Sequence, residues 1–196
     1  RRAFDLKRPR ADREIDLSSV RPALVGARLP LRPIRCRDGV LVYDDGTEVA
    51  LWGVNLQTAL SWEWRSRLTK VGVPLEVEDM KRITDENLRQ LVEMDLDVLR
   101  LHLLPEDFSG PAGNLRDSIY LGALDYLIAR CGDSGIYVYL TLINEMGGGN
   151  SKQSFIGDRE RQEWLFDEDF VVGSQTYITS LLSHTNRYTA TTYARD

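Results

Sequence analysis

Cysteine and histidine are nearly missing from this 196-residue sequence, which holds two of each. Cys36 and Cys131 stand far apart, so they build neither a disulfide framework nor a CxxC metal motif. His102 and His184 are too few for a multi-histidine zinc centre, although a mixed carboxylate site stays open. No metal or organic cofactor is expected. Long apolar runs are missing too, since no stretch reaches the roughly 18 residues that a membrane span needs. Basic charge is in deficit: 25 Lys and Arg face 30 Asp and Glu, a formal net charge of −5. That balance argues against nucleic acid as a partner. The one basic stretch, RRAFDLKRPRADRE at residues 1–14, is either a solvated arm or a dock for an anionic partner. It has no apolar core behind its arginines and so is not an intact signal peptide. The first residue is arginine instead of methionine, which points to processing, trimming or missing residues.

What is present is globular in kind, with 42 % hydrophobic and 28 % charged residues, and this excludes disorder as the main state. The length suits one domain or a large piece of a bigger one. Residues 1–34 carry Pro9, Pro22, Pro30 and Pro33, too closely spaced for a regular helix, and read as an extended lead-in arm. Asp38-Gly39 and Asp45-Gly46 are turn dipeptides between short β-prone runs, which predicts a hairpin feeding a longer strand at about 48–56.

From there the pattern alternates apolar strand and amphipathic helix. Thr84 is expected to cap a helix with Leu88, Leu91 and Val92 on one face. DVLRLHLL (97–104) is apolar on both parities except for Arg100 and His102, as in a strand buried on both faces. Asp117 or Ser118 opens a second helix with Leu121, Leu124, Leu127, Ile128 and Cys131 on one stripe, and Gly135 ends it. IYVYLTLIN (136–144) is a third strand. Asp167 caps a third helix in which Ile178, Leu181 and Leu182 face inward. Crossovers this long require parallel strands, so the fold class is α/β. GVNLQTAL replaces the GxGxxG of a dinucleotide-binding turn, which favours the N-terminal portion of an eight-unit (β/α)8 barrel over a doubly wound sheet.

In either architecture the functional face lies at the carboxyl ends of the strands, and these ends are polar. Asn55 closes the first strand. Arg100 and His102 share parity, so both point to one side, and Leu99, Leu101 and Leu103 take the helix-facing side. A guanidinium held among apolar neighbours needs an acidic partner. Arg100 therefore either orients a catalytic carboxylate or reaches a solvated strand mouth or a structural carboxylate. His102 is equally open to a structural role. Trp62 and Trp64, in the loop after the first strand, offer flat faces suited to stacking on sugar rings, or else cover the end of the barrel or pack on the third helix. Asn144-Glu145 at the end of the third strand can bind ligand or structure the loop. Glu145 is the only serious internal proton donor, provided that Glu63, Glu106 or Asp107 converges on it.

DGVLVYDDGTEVALWGVNL resembles the opening hairpin and first barrel strand of clan A glycoside hydrolases, in particular family 5 and its relatives. LVEMDLDVLRLHLLPEDF resembles their first helix and second strand, with Arg100 at the position of the strand-two arginine. LDYLIARCGDSGIYVYLTLIN resembles the following helix and third strand. The resemblance implies that residues 35–196 supply the first three βα units of a barrel, incomplete by itself. It also implies a retaining hydrolase of a β-linked oligo- or polysaccharide, with a glutamate acid/base on strand four and a glutamate nucleophile on strand seven. HTNRYTATTYARD looks like the segment leading into strand four, which would put both glutamates beyond Asp196 and leave this stretch inactive alone. Asn144-Glu145 mimics the family's Asn-Glu pair on the wrong strand, so the acid/base role is not carried over to it. Secretion or periplasmic export follows from the resemblance only. The rest of the barrel, from this chain or another, is the expected partner. A carbohydrate-binding barrel without turnover is the alternative from another class.

Overall fold

The computed structural model describes residues 30–56, 72, 76–143, 153–159 and 161–195. The arm at 1–29, Trp62, Glu63, Trp64, Asn144 and Glu145 lie outside the described residues.

Strands β1 (Ile34–Arg37) and β2 (Val40–Tyr43) form the expected antiparallel hairpin. Its turn places Asp38 at φ 52° and Gly39 at φ 80°, the double left-handed turn that matches the twist of the flanking strands. The longer strand expected at 48–56 is shorter. Glu48 makes only an isolated bridge to Val42, and β3 is confined to Gly53–Asn55. Gly53 lies so close to the next strand that a Cβ there would come 2.1 Å from the Val98 carbonyl oxygen.

Three parallel strands follow in sequential order: β3, β4 (Val98–His102) and β5 (Tyr137–Thr141). Asn55, Arg100 and Tyr139 are in register across the sheet, and His102 pairs with Thr141 one step further toward the carboxyl ends. Helix α1 (Val77–Glu93) joins β3 to β4, and α3 (Ile119–Asp133) joins β4 to β5 after the short helix α2 (Pro105–Phe108). Helix α4 (Glu168–Ser183) follows β5. Among the described residues no helix is long and apolar enough to cross a membrane.

The alternation of β4 divides the sheet into two faces. Leu99, Leu101 and Leu103 are buried in one cluster with Leu88 and Leu91 of α1 and Leu121, Leu124 and Leu127 of α3. Each such leucine contributes about 2 kcal/mol. On the opposite face Arg100 and Tyr139 are exposed. Among the described residues the helices thus cover one face only.

Helix α1 begins well before Thr84. Its buried stripe is Met80, Thr84, Leu88 and Leu91, so Thr84 is an interior residue and not the cap. The N-cap position is Glu76, with no side-chain capping bond. Glu78 and Asp79 compensate the dipole in the first turn and pair with Lys81 and Arg82 one turn on. Its end is an Asp95 at φ 55°, a left-handed position that aspartate tolerates.

Ser118 caps α3 by accepting from the Leu121 amide at 3.2 Å, and Gly135 at φ 66° ends that unit. Asp167 caps α4 by accepting from the Phe170 amide at 2.8 Å. The Arg159 guanidinium 2.7 Å from Asp167, and then that amide bond, hold its carboxyl below the usual range. The inward face of α4 is Phe170, Gly173, Tyr177 and Leu181; Ile178 and Leu182 are only partly buried. The displaced stripe follows an aromatic cluster, in which Phe155 touches Phe170 and Tyr177 while Trp164 stacks on Phe170.

Cys131 is fully buried in the leucine core, and burial pushes its thiol up to about 12. At pH 8 a thiol reagent is expected to modify the exposed Cys36 in the native protein, and Cys131 only in denaturant. Equal labelling of the two without denaturant would contradict this burial.

Candidate functional site

Parallel strands bring their carboxyl ends together, and here these ends carry Asn55, His102 and Thr141. The amino ends are occupied differently. The Tyr137 hydroxyl donates to the Arg32 carbonyl at 2.7 Å and accepts from the Arg32 amide at 3.1 Å. Arg32 in turn pairs with Asp45 at 2.9 Å and lies 4.3 Å from the centre of the Tyr43 ring. The hairpin is therefore anchored beside the amino end of β5, next to a shallow pocket lined by Pro30, Asp97, Gly135 and Tyr137. Any ligand approaching the carboxyl ends meets the opposite end of the sheet.

Arg100 dominates the uncovered face. Its Nε donates to the Thr141 hydroxyl oxygen at 3.1 Å, and its guanidinium carbon lies 5.7 Å from the centre of the Tyr139 ring. Thr141 stands beyond Arg100's own register partner, so the side chain leans toward the carboxyl ends. The expected parity with His102 holds, and Leu99, Leu101 and Leu103 do take the helix-facing side. The apolar enclosure expected around the guanidinium does not. Among the described residues Arg100 has an aromatic ring and a hydroxyl for neighbours and no carboxylate. Solvent on this face removes the desolvation penalty that would have demanded an acid. Asn55 is exposed and His102 half-buried on the same side.

Glu106 and Asp107, the carboxylates nearest in sequence to the end of β4, are buried at 7 % exposure each and belong to the packing of α2. The Arg116 guanidinium donates to the Glu106 carbonyl, and the Ser118 hydroxyl donates to the Asp107 carbonyl at 2.9 Å. Nearby, the buried Tyr177 hydroxyl has no hydrogen-bond partner among the described residues. Burial pushes its phenol far up, with the charges of Asp107 and Glu106 adding to the effect. It stays neutral at any working pH. No group of three or more His, Cys, Asp or Glu that could hold a metal ion occurs among the described residues.

A second polar cluster escaped the sequence reading. Asp125 on α3 is fully buried. His184 Nε2 lies 2.9 Å from its Oδ1, the Tyr193 hydroxyl donates to the same oxygen at 2.6 Å, and Arg187 Nε lies 3.2 Å from Oδ2. A carboxylate only accepts, so His184 must carry its proton on Nε2. Asn186 donates to the Asp125 carbonyl at 3.0 Å, while its own Oδ1 accepts from the Tyr188 amide at 2.9 Å. These bonds clamp residues 184–193 onto α3. The signal was available, because Asp125 falls on the apolar stripe between Leu121 and Ile128. A carboxylate there needs partners, but the spacing names none.

No family model matches this chain, and no curated protein is significantly similar to it.

Proposed function

We propose that this chain supplies the first three βα units of a (β/α)8 glycoside hydrolase of the clan A, family 5-like type. It acts on a β-linked saccharide by a retaining mechanism. The observation that carries this reading is the placement of Arg100 on the uncovered face of sequentially ordered parallel strands, leaning toward their carboxyl ends. Helices on one face only among the described residues, and a hairpin at the amino ends, suit the start of a barrel. Among the described residues β3 and β5 each pair on one side only, so both edges are open to further strands.

In the completed barrel two carboxylates about 5–5.5 Å apart would perform double displacement through an oxocarbenium-like transition state. Arg100 would keep the nucleophile ionised by adjacent positive charge. Asn55 and His102 would meet substrate at the mouth, together with Trp62, Trp64, Asn144 and Glu145.

The test is the intact protein assayed on a panel of β-glycosides, with and without Arg100→Ala. Hydrolysis is expected, and the variant should lose mainly kcat, on the order of tenfold or more for each 1.4 kcal/mol of lost transition-state stabilisation. A saccharide that quenches tryptophan emission without being hydrolysed would favour the non-catalytic binding barrel. Unchanged turnover in a stably folded Arg100→Ala would remove the arginine from the mechanism.

A further inference from the structure

The Arg100 guanidinium has five N–H donors in a rigid planar fork, and among the described residues one of them is committed. Nε bonds to the Thr141 hydroxyl, the Tyr139 ring lies beside the guanidinium, and no other partner of Arg100 occurs among the described residues. We propose that Thr141 is a positioning residue: by holding Arg100 through Nε, it leaves Nη1 and Nη2 as a free two-pronged edge for a carboxylate on the uncovered sheet face.

The geometry favours this reading over an incidental contact. An exposed arginine unsupported by packing samples many rotamers, and ordering it costs about 2 kcal/mol of side-chain entropy. Two independent contacts fix this one. The Thr141 bond reaches diagonally across the parallel ladder, past the residue paired with Arg100, and so sets the tilt of the side chain along the strand. The Tyr139 ring lies within the roughly 6 Å at which a cation is attracted to an aromatic ring. Threonine is suited to the task because its branched Cβ restricts χ1 in a strand, which aims the hydroxyl. The end-on Nη pair that remains matches the two oxygens of a carboxylate.

This inference rests on the hydrolase reading only for the identity of the carboxylate, which would be the nucleophile. Two readouts on the intact protein separate the claims. The first is proton exchange at the Arg100 Nε–H, observed by heteronuclear spectroscopy and identified by its loss in Arg100→Lys. Exchange should be about fivefold faster in Thr141→Val, which keeps shape and strand preference but has no acceptor, and near wild type in Thr141→Ser. The second is the pH profile of kcat/KM. A guanidinium out of place lets the nucleophile's pKa rise, so in Thr141→Val the acid limb should move to higher pH and kcat should fall with KM unchanged, with rescue in Thr141→Ser.

Identical Nε–H exchange in wild type and Thr141→Val overturns the positioning role, whatever the activity. Altered exchange with an unmoved acid limb overturns the carboxylate as its target. An intact protein inactive on every β-glycoside overturns the hydrolase reading alone, and the exchange comparison still decides for or against Thr141.

Discussion

Asp125→Ala is expected to destabilise the protein by about 2–4 kcal/mol, because it leaves the His184 ring nitrogen and the Tyr193 hydroxyl without the acceptor they share. The carboxylate is fully buried, His184 is 15 % exposed and Tyr193 is 9 % exposed, so neither ring regains full hydration when the acid is gone. Arg187 is different. It is half-exposed and keeps its contact with Asp117 at 2.6 Å, so its loss is small. Asp125→Asn should fall between, since the amide oxygen can still accept from Tyr193 but carries no charge for His184 or Arg187. Chemical denaturation measures the size, and amide exchange over residues 184–193 measures the place. A loss below about 1 kcal/mol would mean that the cluster is incidental to stability and that apolar packing alone holds this segment on α3.

The same cluster marks where the sequence stops being readable. Features decided within one turn or one strand were legible: the Ser118 and Asp167 caps, the Asp38-Gly39 turn, the end of α3 at Gly135, and the shared parity of Arg100 and His102. Each depends on groups a few residues apart. The start of α1 was missed because Thr84 resembles a cap, while the true first turn relies on diffuse charge at Glu78 and Asp79 and on packing of Met80. The expected stripe of α4 holds at Leu181 and in part at Ile178, but it omits Phe170 and Tyr177, which answer to Phe155 outside the helix. At the candidate site Arg100 was found by its oddity among leucines. Thr141, which holds it, is 41 residues away and looks like any strand threonine. Asp125 and His184 are 59 residues apart. Contacts at such separations follow from how the elements pack, and local spacing does not encode them.

Packing also sets opposite signs for one substitution. Gly113→Ala is expected to lose about 3 kcal/mol or more, for two reasons that add. Its φ of 82° is a left-handed conformation that alanine adopts only under strain, and a Cβ there would lie 2.0 Å from the Gly173 carbonyl oxygen. The obstructing atom is backbone, so relief requires moving the loop away from α4. Gly173→Ala meets a different obstacle on the same helix, since a Cβ there would come 2.5 Å from Phe155 Cβ. Its backbone is ordinary helix, so only the steric part applies and the expected loss is smaller, about 1–3 kcal/mol. Gly132→Ala lies in α3 with nothing within 4 Å of the added carbon, and there alanine should stabilise by about 0.5–1 kcal/mol through helix propensity. Urea midpoints of the three variants should therefore rank Gly132→Ala above wild type, then Gly173→Ala, then Gly113→Ala. Because Phe155 also packs on Tyr177 of α4, the two destabilised variants should show faster amide exchange in that helix. If Gly113→Ala instead keeps the wild-type midpoint, the loop at 110–115 does not pack against α4 this closely, and the close approach of Gly113 to Gly173 is wrong.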